Sequence, residues 1–251
     1  MSIPGFEVHR SYDEWGPVRV FEEGTRRYMA FDSDAEQSCV DLSDPTLLAY
    51  QYTQAMMLAL LFQSRPQQVT VLGLGAGSLI HSLCRYDAEL QIEAVELRPL
   101  VVEMAQQWFG LAQSPQLKLH INDAERYMRR SKADSCDLIF SDIYNDHGMI
   151  DSQLNDQFLQ NCFDHLTDNG VLVLNLWDEG KGINPLAAQR LWDQFGDNCL
   201  SCPIEDGNLI ALAFKGGLPD YNPRRLQRKV NKLSQQLGIR LHRLAGGMKP
   251  L

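Results

Sequence analysis

An apolar run at residues 69–72 leads straight into Gly73-Leu74-Gly75-Ala76-Gly77-Ser78. Glycines this close together at a strand-to-helix turn allow dihedrals that a Cβ hinders and bring backbone N–H groups up against a ligand. Tight strand-helix packing uses the same pattern, so the turn alone leaves two readings open. The next acid favours a ligand. Glu96 closes the second apolar run at roughly the 20-residue interval where a carboxylate accepts the hydroxyl hydrogens of a bound ribose. Ser78 stands where the dinucleotide fingerprint has its last glycine, and Gly77 comes one residue early. That spacing favours nucleosides of the S-adenosylmethionine type over dinucleotides.

Two further acids follow later apolar runs. In Asn122-Asp123-Ala124, Asp123 is suited to accept from an adenine amino group or to cap the following helix, and the two roles are compatible. Asp142 follows the apolar run at 138–140 and is either a solvated loop acid or a base at the edge where open α/β sheets bind ligands.

The elements that must position these residues are legible as patterns. Runs at 17–22, 26–31 and 37–42, separated by turn-rich clusters, predict a small antiparallel meander. Asp44-Pro45 predicts the start of a helix over 46–62. From residue 69, apolar runs at 69–72, 92–95, 117–121, 138–140 and 171–176 alternate with amphipathic stretches, the βαβ signature of a parallel sheet covered on both faces. A helix at 185–195 and a hairpin of 199–204 with 209–214 close this α/β, doubly wound body. Asn222 and Pro223 then open a helix whose Leu226, Val230, Leu233 and Leu237 share one face up to Gly238. The expected division is an N-terminal β domain at 1–43, a nucleoside-binding domain at 44–220 and a basic helical tail at 221–251. The tail either docks on the body through its leucine stripe or serves as a partner-binding arm.

Composition sets the outer bounds. With 44% hydrophobic residues and a net charge of −9 the chain can fill a large core, and its acidic body argues against nucleic acid as partner. The longest apolar stretch, at 55–62, is far short of the roughly 20 residues of a bilayer span, and the N-terminus lacks a secretory pattern, so a cytoplasmic location is expected. The six cysteines are scattered, which suits reduced, packed thiols. Cys199 and Cys202 lack the further ligands a zinc site needs, and no metal is expected.

Together these residues resemble the spermidine synthases and, more closely, spermidine-synthase-like proteins. The resemblance covers residues 15–215 and rests on Gln37, Leu48-Ala49-Tyr50, the Gly73 to Gly77 turn, Val95-Glu96, Asn122-Asp123-Ala124, Asp142-Ile143-Tyr144 and Asn175-Leu176-Trp177. It implies a Rossmann-like sheet of the class I S-adenosylmethionine-dependent transferase type with a small N-terminal antiparallel β domain, often as a homodimer. The implied reaction is aminopropyl transfer from decarboxylated S-adenosylmethionine to putrescine or another polyamine. Matching positions would put Gln37, Gly73, Gly75, Gly77, Glu96, Asp123 and Ala124 around the nucleoside and Asp142 and Tyr50 near the reacting amine, with Asp142 as base. A small-molecule methyltransferase and a non-catalytic nucleoside-binding protein are the alternatives.

Departures from the family pattern bear on the donor. Ala76 stands where the family has an acid facing the donor's ammonium, Asn145 where it has a second loop acid, and Gln51 where it has histidine. Without the acid at 76, a donor that keeps its own carboxylate is no longer repelled, so S-adenosylmethionine and methylthioadenosine are expected to bind at least as well as the decarboxylated donor. His147 is a candidate for the pocket, His165 reads as a structural residue, and Trp177 either floors the pocket or packs in the core.

Overall fold

The computed structural model describes residues 3–32, 36–145, 148–149, 151–177, 183–205 and 207–251. Four strands open the chain: β1 (Phe6–Asp13), β2 (Gly16–Glu23), β3 (Arg26–Ala30) and β4 (Glu36–Asp41), paired in chain order as an antiparallel meander. The last three are the runs read from the sequence. β1 has no buried residue and therefore no apolar alternation to reveal it.

The helix expected from residue 46 begins later. Asp44 accepts from both the N–H and the hydroxyl of Thr46 in a local turn, and Leu48 forms an isolated bridge with Val40 that holds it extended. Helix α1 is therefore Gln51–Met56, with Tyr50 at its N-cap in extended conformation (φ −96°, ψ 143°). It tightens into a fully buried 3₁₀ turn over Met57–Leu61.

Strands and helices then alternate as β5 (Gln68–Leu72), α2 (Ser78–Tyr86), β6 (Gln91–Glu96), α3 (Pro99–Trp108), β7 (Leu117–Ile121), α4 (Ala124–Met128) and β8 (Cys136–Ser141). A short pair, β9 (Tyr144–Asn145) and β10 (Gly148–Met149), and a 3₁₀ turn lead to α5 (Asp156–His165), β11 (Leu166–Trp177) and α6 (Pro185–Phe195). Next come β12 (Cys199–Pro203) and β13 (Asn208–Phe214), then α7 (Pro223–Leu237), α8 (His242–Gly246) and β14 (Lys249–Pro250).

The large sheet has the order β14-β12-β13-β11-β8-β5-β6-β7. Neighbours from β11 to β7 are parallel, whereas β13, β12 and β14 pair antiparallel. After β5 the chain lays β6 and β7 to one side, then returns to set β8 on the other. Such a reversal leaves a crevice at the carboxyl ends of the two strands where it occurs, here β5 and β8.

Burial of both sheet faces follows from strand alternation. In β11, Val171 and Val173 enter one apolar cluster while Leu172, Leu174 and Leu176 enter another on the opposite face. Cys199 and Cys202 divide in the same way, which keeps the two thiols on opposite faces of β12. Burial raises the pKa of each to about 12. The tail is part of this body: Leu226, Val230, Leu233 and Leu237 of α7 belong to the cluster that holds Val71 and Phe140, and β14 extends the sheet beside β12. Asn222 caps α7 by accepting from Arg224 N–H, and Gly238 ends it in the left-handed conformation. Among the described residues no helix is long and apolar enough to cross a membrane.

The N-terminal sheet packs against α3, joining Val18, Val20, Met29 and Val40 to Val101, Met104 and Phe109. A buried ion pair fastens the same junction. Arg98, just before α3, donates to Asp13 Oδ2 at 3.0 Å and Oδ1 at 2.7 Å and to the Gly16 carbonyl at 2.9 Å, with its guanidinium over the Phe31 ring. Removing one partner of such a pair leaves the other charge buried and uncompensated. Asp13→Ala is expected to lower the unfolding free energy by about 3 kcal/mol, measured by urea titration.

Candidate functional site

The crevice between β5 and β8 is set by backbone contact. Asp142 N–H donates to the Leu72 carbonyl at 2.9 Å, and Gly73 N–H donates to the Val95 carbonyl at 2.9 Å. Gly73 has φ +88°, and a Cβ on it would lie 2.2 Å from the Asp142 carbonyl oxygen. Only glycine fits there, for its positive φ and for the approach of the neighbouring strand. Gly75 continues the turn and Gly77 is the N-cap of α2.

Glu96 lies at the end of β6, beside this turn. Its Oε2 accepts from Leu74 N–H at 3.1 Å and its Oε1 from Arg98 N–H at 2.9 Å, so the carboxylate ties the glycine turn to the loop that carries Arg98. Burial raises its pKa above the ordinary carboxylate value, and the backbone donors oppose that shift. A carboxylate has about four acceptor positions, which leaves capacity for ribose hydroxyls.

Asp123 lies at the next strand end, exposed, and caps α4 by accepting from Arg126 N–H at 2.8 Å. Asn122 N–H donates to the Glu96 carbonyl at 3.0 Å, which sets this loop next to the Glu96 strand end. Ala124, the first residue of α4, packs partly buried against the cluster under α5. Gln37 sits on β4 at a register shift, where Ser38 pairs with Met29 and Glu36 with Ala30, so Gln37 is the unpaired residue of a bulge. Bulges re-aim side chains and recur beside active sites.

Asp142 is the centre of a hydrogen-bonded group. Its Oδ1 accepts from Asn175 Nδ2 at 2.8 Å, and its carboxylate also takes a hydrogen bond from Tyr52. Burial raises its pKa, against the lowering effect of both donors. Asn175 is itself anchored: buried Gln153 donates to the Asn175 carbonyl at 3.2 Å and accepts from Ser141 Oγ at 3.0 Å. Tyr50 is a correction to the expected first helix: it precedes α1, and its ring stacks on Tyr52 with centroids 5.8 Å apart. The contacts thus join the glycine turn, Glu96 and Asp142 directly, Tyr50 through Tyr52, and Asp123 through its neighbour Asn122.

Three participants were not singled out from sequence. Ser38 is buried and accepts from Ala76 N–H at 2.7 Å, binding β4 to the glycine turn. Tyr52 and Gln153 carry no motif. Asn175 did leave a trace, as a polar residue inside the otherwise apolar run of β11. Trp177 is 45% exposed, with its ring over Gly207, and so is not a core residue. His165 is buried on α5, its Nδ1 within 2.6 Å of the Lys132 carbonyl. His147 and Asp146 lie outside the described residues.

Strand order and the glycine turn define a Rossmann-like fold of the class I methyltransferase-like kind with an added N-terminal sheet. The sequence profile of the spermine/spermidine synthase domain matches residues 48–178. A polyamine aminopropyltransferase of Neisseria meningitidis is 30% identical over 235 residues, covering 92% of this chain and 89% of that one. A spermidine synthase crystallised with the transition-state analogue AdoDATO shares the fold with a TM-score of 0.71 at 19% identity, over 92% of this chain and 88% of that one. Human methyltransferase-like protein 13, crystallised with SAH, gives a TM-score of 0.61 at 26% identity, over 74% and 89%. The chain belongs to the spermine/spermidine synthase family.

Gly73→Ala forces the β5 and β8 ends apart. It is expected to cost about 2 kcal/mol or more of stability, as read by thermal unfolding.

Proposed function

We propose that this protein transfers an aminopropyl group from decarboxylated S-adenosylmethionine to a polyamine-type amine. The observation that carries this reading is Asp142: a carboxylate in the β5–β8 crevice, next to the glycine turn, held by two neutral donors and with acceptor capacity left over. The amine nitrogen attacks the carbon next to the sulfonium, the carbon–sulfur bond breaks, and its electron pair leaves on sulfur as the thioether of methylthioadenosine. The nitrogen passes its proton to Asp142. Attack requires a neutral amine held about 3 Å from the carbon, so a base and a positioned donor are the two demands on the protein. Gln37, Glu96, Asp123, Ala124 and the glycine turn are the proposed nucleoside contacts, and Tyr50 borders the amine.

Ala76 supports a broader donor range. It is fully buried among Val18, Val20 and Met29, its N–H is taken by Ser38, and it offers no charge to a donor's ammonium. S-Adenosylmethionine itself is proposed to bind, which keeps methyl transfer as the second reading, in line with the methyltransferase-like neighbour. We also propose a metal-independent reaction in the cytoplasm, with neither nucleic acid nor membrane as partner. The acidic composition and the six free thiols favour this. The large exposed side chains of Phe6, Tyr12 and Trp15 on the N-terminal sheet favour a homodimer through that sheet.

Product masses after incubation with both donors, a panel of amines and a chelator test the reaction. An added aminopropyl mass supports it, and an added methyl group or no product overturns it. Asp142→Asn is expected to lower turnover by about 100-fold or more while nucleoside binding persists. Calorimetry with S-adenosylmethionine, its decarboxylated form and methylthioadenosine tests the donor range, which strong preference for the decarboxylated form overturns. Light scattering should give twice the chain mass of 28.5 kDa, and a monomer overturns the dimer.

A further inference from the structure

We propose that the cleft between α7 and α8 is a second binding site, which takes a small phosphate ester with its phosphate on Arg224 and its apolar part on Val230 and Ala245. No residue placed at the β5–β8 crevice lines this cleft, so the inference stands apart from the reaction proposed above.

The cleft follows from how the tail turns. Gly238 ends α7 in the left-handed conformation, Ile239 and Leu241 are buried, and α8 packs back on α7. Leu244 and Ala245 of α8 share an apolar cluster with Val230 and Leu233 of α7. Beyond that seam α8 ends in a small residue: a Cβ on Gly246 would meet nothing within 4 Å. The space between the helices, about 270 Å³, is lined by Val230, Ala245 and Gly246 and by the polar side chains of Arg224, Gln227 and His242. It lies just under the roughly 300–1,000 Å³ of drug-sized sites, so the ligand that fits is small.

Charge selects the kind of ligand. Residues 221–251 carry eight Lys and Arg and no acid. Arg225 is paired with Asp220 and Arg243 with Glu205, whereas among the described residues no acid pairs with Arg224, Arg228 or Lys232. Those three recur every fourth residue on the exposed face of α7, and like charges one turn apart destabilise a helix. An anion on Arg224 relieves that repulsion, and a dianion gains more from the summed field than a single charge does. The guanidinium fork is built to hold two phosphate oxygens at once. His242 is held ready at the same cleft. Its Nε2 lies 2.5 Å from Asn231 Oδ1, which only accepts, so the proton sits on Nε2 and Nδ1 is left uncommitted. The end of α7 itself is not the attraction, because Asn222 already takes the Arg224 N–H on its side chain and the Arg225 and Leu226 N–H groups on its carbonyl, each at 3.0 Å.

Calorimetry on the full-length protein with phenyl phosphate, inorganic phosphate and benzoate tests the proposal. Phenyl phosphate should bind at a single site, more tightly than inorganic phosphate, which lacks the apolar part, and than benzoate, which carries one charge. Arg224→Ala should weaken it by about tenfold or more. Gly246→Leu, which takes up space at the cleft and leaves every cation in place, should weaken it as well. Arg225→Ala, which removes a cation outside the cleft, should leave the affinity unchanged. No heat with millimolar phenyl phosphate, equal binding of inorganic phosphate or benzoate, binding that survives Arg224→Ala, or an equal loss in Arg225→Ala each overturns the site. Thermal unfolding checks that the variants fold, and if one of Arg224→Ala and Gly246→Leu does not, the other decides. None of these measurements needs turnover, so they succeed or fail independently of the aminopropyl reading.

Discussion

The close approach of Gly73 to the Asp142 carbonyl governs the rest of the site. It brings two strand ends together where the sheet order reverses, with the Asp142 N–H bonded to Leu72 at 2.9 Å. The glycine turn and Glu96 are thereby fixed to the strand end that carries Asp142.

The site is assembled at some expense in stability. Glu96 and Asp142 both have raised pKa values because burial disfavours their charged forms. The folded state therefore binds a proton at each more tightly than the unfolded chain does. The stability these groups contribute is fully present below the ordinary values of 4.5 and 3.8 and is lost as pH rises through the raised ones. Above the raised values the charged forms oppose folding, and the surrounding structure offsets them. Backbone donors meet Glu96, while Tyr52 and Asn175 meet Asp142. The Asp13–Arg98 clamp and the α3 cluster hold the N-terminal sheet against the turn.

That sheet is part of the site as well as a lid on α3. Ser38 takes the Ala76 N–H, and the Gln37 bulge lies beside it, so the meander supplies a wall that the α/β body lacks. At the far side, α7 and β14 complete the core and the sheet edge. The cations of the tail are spread over its exposed face or satisfied locally, as with Arg225 on Asp220 and Arg243 on Glu205.

Much of this was readable in order along the chain. Strand alternation with β-branched residues gave the five parallel strands, Asn222 and Gly238 bounded α7, and the glycine turn and Glu96 were readable as neighbouring strand ends, because each signal is local. β1 escaped because none of its residues is fully buried, and the start of α1 was misplaced because Leu48 is held by a partner, Val40, that only folding brings near. The sequence by itself thus determined which acids stand at strand ends. Only the tertiary structure decided that Asn175 and Gln153 brace Asp142 and that Ser38 closes the glycine turn, because these contacts join residues on separate elements and leave no periodic trace in either.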